Sequence, residues 1–260
     1  MPPSGDAIRS CLHCEEGTMN DTSPCCPRRR ALLAGLVGLA AMPGVVRSQA
    51  SILKIGIIGT GRVGGALAER WAGAGHELLI SSRHPERLQE LAKRLGPRVR
   101  AGTPAEAAAF GEVLLISVPY GALPQIGRDY AAAMRGKVVL ETGNPFPDRD
   151  GDMAEAARHK GSALASAEYL PGVRLVRAFT TIPHTVLHSQ AHRPGERVAV
   201  PLASDDAAAL RIAERLVRDA GFVPVVVGGL ARAREFDVGS PVFGRALTAS
   251  ELQQALKLKR

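Results

Sequence analysis

Downstream of residue 26 the chain contains no cysteine; all four, Cys11, Cys14, Cys25 and Cys26, precede that point. Thiol catalysis and disulfides are thereby excluded from everything that follows. Cys25 and Cys26 are adjacent, so they do not supply the second C-x-x-C pair that a zinc knuckle needs. Aromatic residues are scarce, at 4%. The net charge of +8 comes with no basic block and no aromatic–basic interleaving, so nucleic acid is not implied as a partner. The longest apolar run, residues 31–42, falls well short of the ~20 residues that span a bilayer, which argues against a stable membrane anchor.

That short run has a different use. Arg28-Arg29-Arg30 precedes it, Pro43-Gly44 closes it, and Ser48-Gln49-Ala50 offers small residues for cleavage. A charged start, an apolar core of a dozen residues and a small-x-small end make a secretory signal. Arg29-Arg30-Ala-Leu-Leu fits the twin-arginine pattern, and the Gly/Ala-diluted core suits that pathway. The expected location is periplasmic or secreted, after cleavage near Ala50, with the twin-arginine export machinery as a partner. No cysteine follows the core, so lipidation there is excluded. Met19 would begin a signal of conventional length. Twin-arginine export carries folded proteins with cofactor already bound, which suits a nucleotide-binding enzyme.

At 45% hydrophobic and 22% charged the composition is that of an ordinary globular enzyme. From residue 51 onward 28 basic residues face 21 acidic ones, a surplus that a polyanionic cofactor satisfies without another partner.

The strongest motif is Gly59-Thr60-Gly61-Arg62-Val63-Gly64. A strand-like run, Ile52 to Ile58, enters it, and the helical spacing Val63, Leu67, Trp71 leaves it. One glycine makes the tight turn, one lets the backbone approach a pyrophosphate, and one packs helix on strand. The helix N-terminus then presents N–H groups and partial positive charge to the phosphates. The next strand, Glu77 to Ser81, decides which dinucleotide. An NAD-selective site places an acid at its end; here it ends Ser81-Ser82-Arg83-His84, and Glu77 sits at its start. Hydroxyls and a guanidinium suit a 2′-phosphate, so the cofactor is read as NADP(H).

Strands and helices alternate onward. Strands are expected at Val113–Val118, Lys137–Glu141, Val173–Phe179, Val198–Leu202 and Phe222–Val227, and helices at Leu123–Met134 and Asp205–Ala220, with a terminal helix near Leu247–Lys257. The stretch Phe146–Gly151 reads as a loop. The fold class is α/β: a Rossmann-type, doubly wound, mostly parallel sheet with a small C-terminal extension. Residues 1–50 form the signal region, 51–145 the NADP-binding core, and 146–260 a continuation of the sheet with an acceptor-side cap. Ligands of such sheets lie beyond the strands' carboxyl ends. Val118-Pro119 and Gly143-Asn144 are therefore expected beside the nicotinamide, with Thr181-Ile182-Pro183 on the substrate side.

The segments Gly59-Thr-Gly-Arg-Val-Gly, Ser81-Ser82-Arg83, Ser117-Val-Pro119, Thr142-Gly-Asn144-Pro145, Ala178-Phe-Thr-Thr-Ile-Pro183 and Val200-Pro-Leu-Ala-Ser-Asp-Asp206 resemble the NADPH-dependent F420 reductase-like family. The nucleotide motifs are shared with pyrroline-5-carboxylate reductases and ferric/cupric reductase domains. The resemblance implies that Thr60, Arg62 and Val63 line the pyrophosphate and that Ser82 and Arg83 hold the 2′-phosphate. It implies hydride transfer between NADP(H) and a small-molecule electron acceptor, with a flavin or deazaflavin as candidate substrate. A metal acceptor is a further option. His84 stands where a second basic residue often follows the arginine.

Such chemistry needs alignment more than acid–base groups, so the lack of an evident catalytic pair is no obstacle. His184 is a weak candidate proton donor. His184, His188 and His192 would share one helical face, but no carboxylate joins them locally, and no metal site is expected. Two other readings stand beside the reductase: a non-catalytic NADP-binding or redox-sensing protein, and an imine reductase, which would need a long helical dimerisation domain. A homodimer is an option in any of them.

Overall fold

The computed structural model of the chain describes residues 51–258. The signal region expected over residues 1–50 lies outside the described residues. Among the described residues no helix is long and apolar enough to cross a membrane.

The first half alternates β1 (Lys54–Ile58), α1 (Arg62–Gly73), β2 (Glu77–Ser81), α2 (Gln89–Leu95), β3 (Val99–Gly102), α3 (Pro104–Phe110), β4 (Val113–Ile116), α4 (Leu123–Met134) and β5 (Val138–Glu141). Three short helices follow: α5 (Pro147–Asp150), α6 (Asp152–Lys160) and α7 (Ser162–Tyr169). The chain continues through β6 (Arg174–Arg177), α8 (His184–Ser189), β7 (Ala199–Ala203), α9 (Ala207–Asp219), β8 (Val223–Gly228) and α10 (Ala249–Ala255).

All eight strands join one sheet in the order β3-β2-β1-β4-β5-β6-β7-β8. The order reverses between β1 and β4, which opens a crevice at their carboxyl ends. Every pairing is parallel except β6 with β7. The connection between those two carries only α8, and it brings the chain back in at the end of the sheet where β6 left.

The strand sequences dictate a core on each face. In β4, Val113 and Leu115 pack into one core and Leu114 and Ile116 into the other, the period-2 alternation of a strand buried on both sides. Helices α1, α2, α8 and α9 cover the first face; α3, α4, α7 and α10 cover the second. Each fully buried Leu, Ile, Val or Phe contributes about 1.5–3 kcal/mol. Trp71 anchors the first core. Its indole Nε1–H donates to the Leu216 carbonyl at 2.9 Å, and its ring meets Phe179 edge-on at 6.3 Å. Close backbone contact shapes the second core: Gly56 lies so near the Ala107 carbonyl that a Cβ would collide with it.

One local expectation fails. Phe146–Gly151 is not a simple loop: Pro147 starts the one-turn α5, and Asp150 folds back to accept the backbone N–H groups of Phe146 and Gly121 at 3.1 Å each. Proline at the first helical position and a carboxylate over free N–H groups explain the turn.

Candidate functional site

The glycine loop sits where β1 meets α1, and β2 pins it. The N–H groups of Gly59 and Thr60 donate to the Ser81 carbonyl at 3.2 and 3.0 Å, and the Thr60 hydroxyl donates to the same oxygen at 3.1 Å. The three glycines have different surroundings. Gly59 takes φ +96°, a backbone state that other residues rarely adopt, with Ser117 against it. A Cβ on Gly64 would strike the Gly59 carbonyl, so helix and turn pack through that position. Gly61 faces open space instead, which leaves room for a ligand and not for protein.

Helix α1 begins with no side-chain cap and no acid in its first turn. Helices α3 and α10 carry complete capping boxes from Thr103 and Thr248, and α9 is capped by Asp206. An uncapped twelve-residue helix behind a glycine loop keeps its N–H groups and partial positive charge for an anion. Arg62 is exposed beside it and Val63 half-buried.

At the end of β2 the predicted residues separate. Ser82 is half-buried; its oxygen accepts the His84 N–H at 3.0 Å, so its own proton stays available to donate. Arg83 is exposed. Ser81 is fully buried, and its hydroxyl donates to the Ile57 carbonyl at 2.7 Å. It shapes the loop through its backbone, and its side chain does not reach a phosphate, contrary to expectation.

Beyond β4, Val118 is half-buried and Pro119 exposed. Beyond β5, Gly143-Asn144 is held from several sides. Glu141 accepts the Gly143 N–H, Arg177 Nη1 donates to the Gly143 carbonyl at 2.7 Å, and Arg149 Nη2 donates to the Asn144 carbonyl at 2.8 Å. Asn144 Nδ2 donates to the Thr180 carbonyl at 2.8 Å. One of the amide's two N–H donors is thus used, while Asn144 Oδ1 and Thr180 Oγ1 are both buried with no partner among the described residues. Buried polar atoms are rarely left so. Phe179 turns the chain toward this point with φ +57°, a conformation costing roughly 1–3 kcal/mol for a bulky residue. Its ring is clamped edge-on between Trp71 and Phe222.

The expected substrate side changes. Thr181 and Ile182 are buried, and Ile182 packs into the first core, where truncation to Ala would cost about 2–5 kcal/mol. Only Pro183 is exposed, just before α8. Thr181 instead ties the site to the C-terminal segment by accepting the Gly244 N–H at 2.7 Å. The histidines do not form a set. Helix α8 ends at Ser189, His192 lies outside it at φ +55°, and His188 Nδ1 is 3.2 Å from Glu69 of α1. His184 stacks edge-on against His188 at 6.5 Å and touches no acid–base partner. No cluster able to hold a metal ion occurs among the described residues.

Sequence reading missed a buried polar network under this loop. Glu141 and Arg177 face each other in register on β5 and β6, both fully buried, and form an ion pair. Arg177 Nη2 reaches the Ser162 hydroxyl at 2.9 Å and Asp237 at 3.3 Å. Ser166 Oγ donates to Glu141 at 3.1 Å, and Tyr120 O–H donates to the Ser162 carbonyl at 2.7 Å. Burial pushes the Glu141 carboxyl up, opposed by the Arg177 charge and the Gly143 N–H. Burial also works against the Arg177 charge, but the Glu141 and Asp237 carboxylates prevail and hold its pKa above the ordinary value. Burial drives the Tyr120 phenol well up, so it stays neutral. The available signal was a charge ending each of two neighbouring strands, an acid in VVLE and an arginine in RLVR. Next to the network opens a pocket of about 440 Å³, lined by Pro145, Pro147, Arg158, His159, Arg234 and Asp237 among others.

Residues 54–145 match the family described as NADP oxidoreductase, coenzyme F420-dependent. The F420-dependent NADP reductase of Methanothermobacter marburgensis is 32% identical over 206 residues, which cover 73% of this chain and 90% of that protein. Metalloreductase STEAP3 of Rattus norvegicus is 30% identical over 191 residues, 71% of this chain. The matched region is 36% of that protein, so the chain spans about a third of its length. The crystal structure of the Sinorhizobium meliloti protein SMa0349 superposes with a TM-score of 0.64 at 27% identity, covering 77% of this chain and 97% of the other.

Proposed function

The chain belongs to the family of coenzyme F420-dependent NADP oxidoreductases, and from that premise we propose that it passes a hydride between NADP(H) and a small flavin-like, deazaflavin or metal-chelate acceptor. The observation that carries this reading is the pair of buried, unpartnered oxygens at Asn144 and Thr180, placed beyond the carboxyl ends of β5 and β6. The nicotinamide carboxamide offers an N–H donor to the amide oxygen and an acceptor to the hydroxyl. Bound NADPH supplies the hydride itself.

The residues of the chain do the rest. The α1 N-terminus and the N–H groups around Gly61 take the pyrophosphate, Ser82 and Arg83 take the 2′-phosphate, and Asn144 with Thr180 orients the nicotinamide. Gly59, Thr60, Gly64, Val118, Pro119 and Gly143 shape the channel between them. The 440 Å³ pocket beside Pro145 admits the acceptor, and its lining pairs the charges of Arg158 and Arg234 with those of Glu155 and Asp237. Removing water and aligning two rings supply most of what hydride transfer requires. We propose in addition that residues 28–50 direct twin-arginine export, with the mature chain starting at Ser51 in the periplasm.

Steady oxidation of NADPH with FMN, a deazaflavin, menadione or ferric citrate tests the reaction. Turnover with at least one supports it, and tight NADPH binding without turnover on any would make the protein a binder or sensor. N-terminal sequencing of periplasmic protein tests export; finding residues 31–42 retained there would contradict cleavage.

A further inference from the structure

We propose that Arg177 is a positioning residue for hydride transfer. From full burial it fixes the Gly143-Asn144 loop against which the nicotinamide is aligned, and it joins that loop to Asp237 on the wall of the acceptor pocket. The inference rests on the reading of this site as an NADP(H) hydride-transfer centre.

Arg177 is the last residue of β6, and the alternation of RLVR turns its side chain under the site and not toward solvent. There the guanidinium uses both ends of its fork. Nη1 serves Glu141 and the Gly143 carbonyl; Nη2 serves Ser162 and Asp237. Glu141, held by Arg177, accepts the Gly143 N–H. Both polar backbone atoms of Gly143 are therefore fixed by one ion pair, immediately before the residue whose amide oxygen is left free for the cofactor. The far end of the pair is equally anchored. Asp237 also accepts the Ser162 N–H at 3.2 Å and pairs with the Ser162 hydroxyl, which locks the start of α7.

Stability does not account for this arrangement. A buried ion pair gains little over well-packed apolar residues of the same size, because desolvating two charges offsets their attraction. A planar fork with several fixed donors does something an apolar pair cannot: it holds a loop through directional hydrogen bonds to its backbone. Lysine, with one compact ammonium, cannot bridge Gly143 and Asp237 together.

The test compares the parent protein, Arg177→Lys, Asp237→Asn and the charge-balanced double variant Glu141→Gln/Arg177→Met. Each is measured for thermal stability, for NADPH affinity by calorimetry, and for oxidation of 4-deuterated against ordinary NADPH with FMN as acceptor. The expected result is NADPH affinity within about twofold of the parent and hydride transfer slowed about 10- to 100-fold by misalignment. The deuterium isotope effect should rise, because the transfer step itself becomes limiting; a purely structural role would not change it. Asp237, 16% exposed at the pocket end, should show a smaller loss in the same direction and serves if the deeper variants do not fold. Folded variants with the parent's rate and isotope effect overturn the inference. A parent that binds NADPH but reduces nothing overturns the functional reading instead, and this inference with it.

Discussion

The side-chain amide of Asn144 donates to the Thr180 carbonyl at 2.8 Å, while the Asn144 oxygen and the Thr180 hydroxyl stay buried and unpaired. One residue therefore joins the ends of two neighbouring strands and keeps a buried acceptor free. Asn144→Asp replaces the donor with a second oxygen opposite the Thr180 carbonyl. The expected loss is about 1–3 kcal/mol of transition-state stabilisation, measured as kcat/KM for NADPH oxidation. Unchanged kinetics would remove Asn144 from the nicotinamide site.

Ser82 and the exposed Arg83 follow β2 directly, with no acid at the end of that strand to oppose the 2′-phosphate contact proposed for them. Arg83→Ala should lower NADPH affinity by roughly 1.5–3 kcal/mol, the worth of a charge-assisted contact, and leave NADH affinity nearly unchanged. Equal calorimetric affinities for the two nucleotides in the parent protein would refute the assignment.

The glycines of the loop separate folding from binding. Gly59→Ala meets both a positive φ and the Ser117 backbone, so it should destabilise the protein. At Gly61 an added Cβ meets nothing within 4 Å and φ is an ordinary −84°, so Gly61→Val should fold normally and lose dinucleotide affinity. Thermal melts and NADPH titrations on the two variants should show opposite patterns.

His76 makes stability depend on pH. Its Nδ1 accepts the Leu53 N–H at 3.2 Å, and its Nε2 lies 3.0 Å from Asp219, which Arg215 also contacts. Burial lowers its pKa below the ordinary histidine value, although Asp219 pulls the other way. The unfolded chain therefore takes up this proton first as pH falls. The stabilising contribution is complete above the unfolded pKa of ~6.5 and is lost as pH drops through the folded value. The capped and paired carboxyls of Glu106, Asp206, Glu235 and Glu251 have lowered pKa values, so their losses come at more acid pH. A melting temperature that falls between about pH 7 and 5 in the parent but not in His76→Gln is expected; parallel curves would exclude His76 as the source.

Periodicity and turn chemistry carried the fold far. The apolar strands and the glycine loop are local signals, and the structure has all of them. The antiparallel entry of β7 was not legible, because pairing direction depends on how a connection crosses the sheet and not on the strand's own residues. Within the site, residue types located the strand ends correctly, while side-chain direction escaped. Ser81 and Ile182 belong to motifs yet point inward, and nothing in their immediate neighbours marks this.

By itself the sequence determined a dinucleotide site of NADP type. That information is local: a turn that needs glycine, a helix start left uncapped, and a strand that ends without an acid all lie within about 25 residues of one another, in keeping with the span of a βαβ unit. Only the tertiary structure decided what lies beneath the Gly143-Asn144 loop. Glu141, Ser162, Arg177 and Asp237 are far apart along the chain and meet only because β5 and β6 pair in register and the C-terminal segment closes over α7. A charged residue read alone carries no sign of whether it will be solvated or buried, since its cost depends on partners that folding supplies.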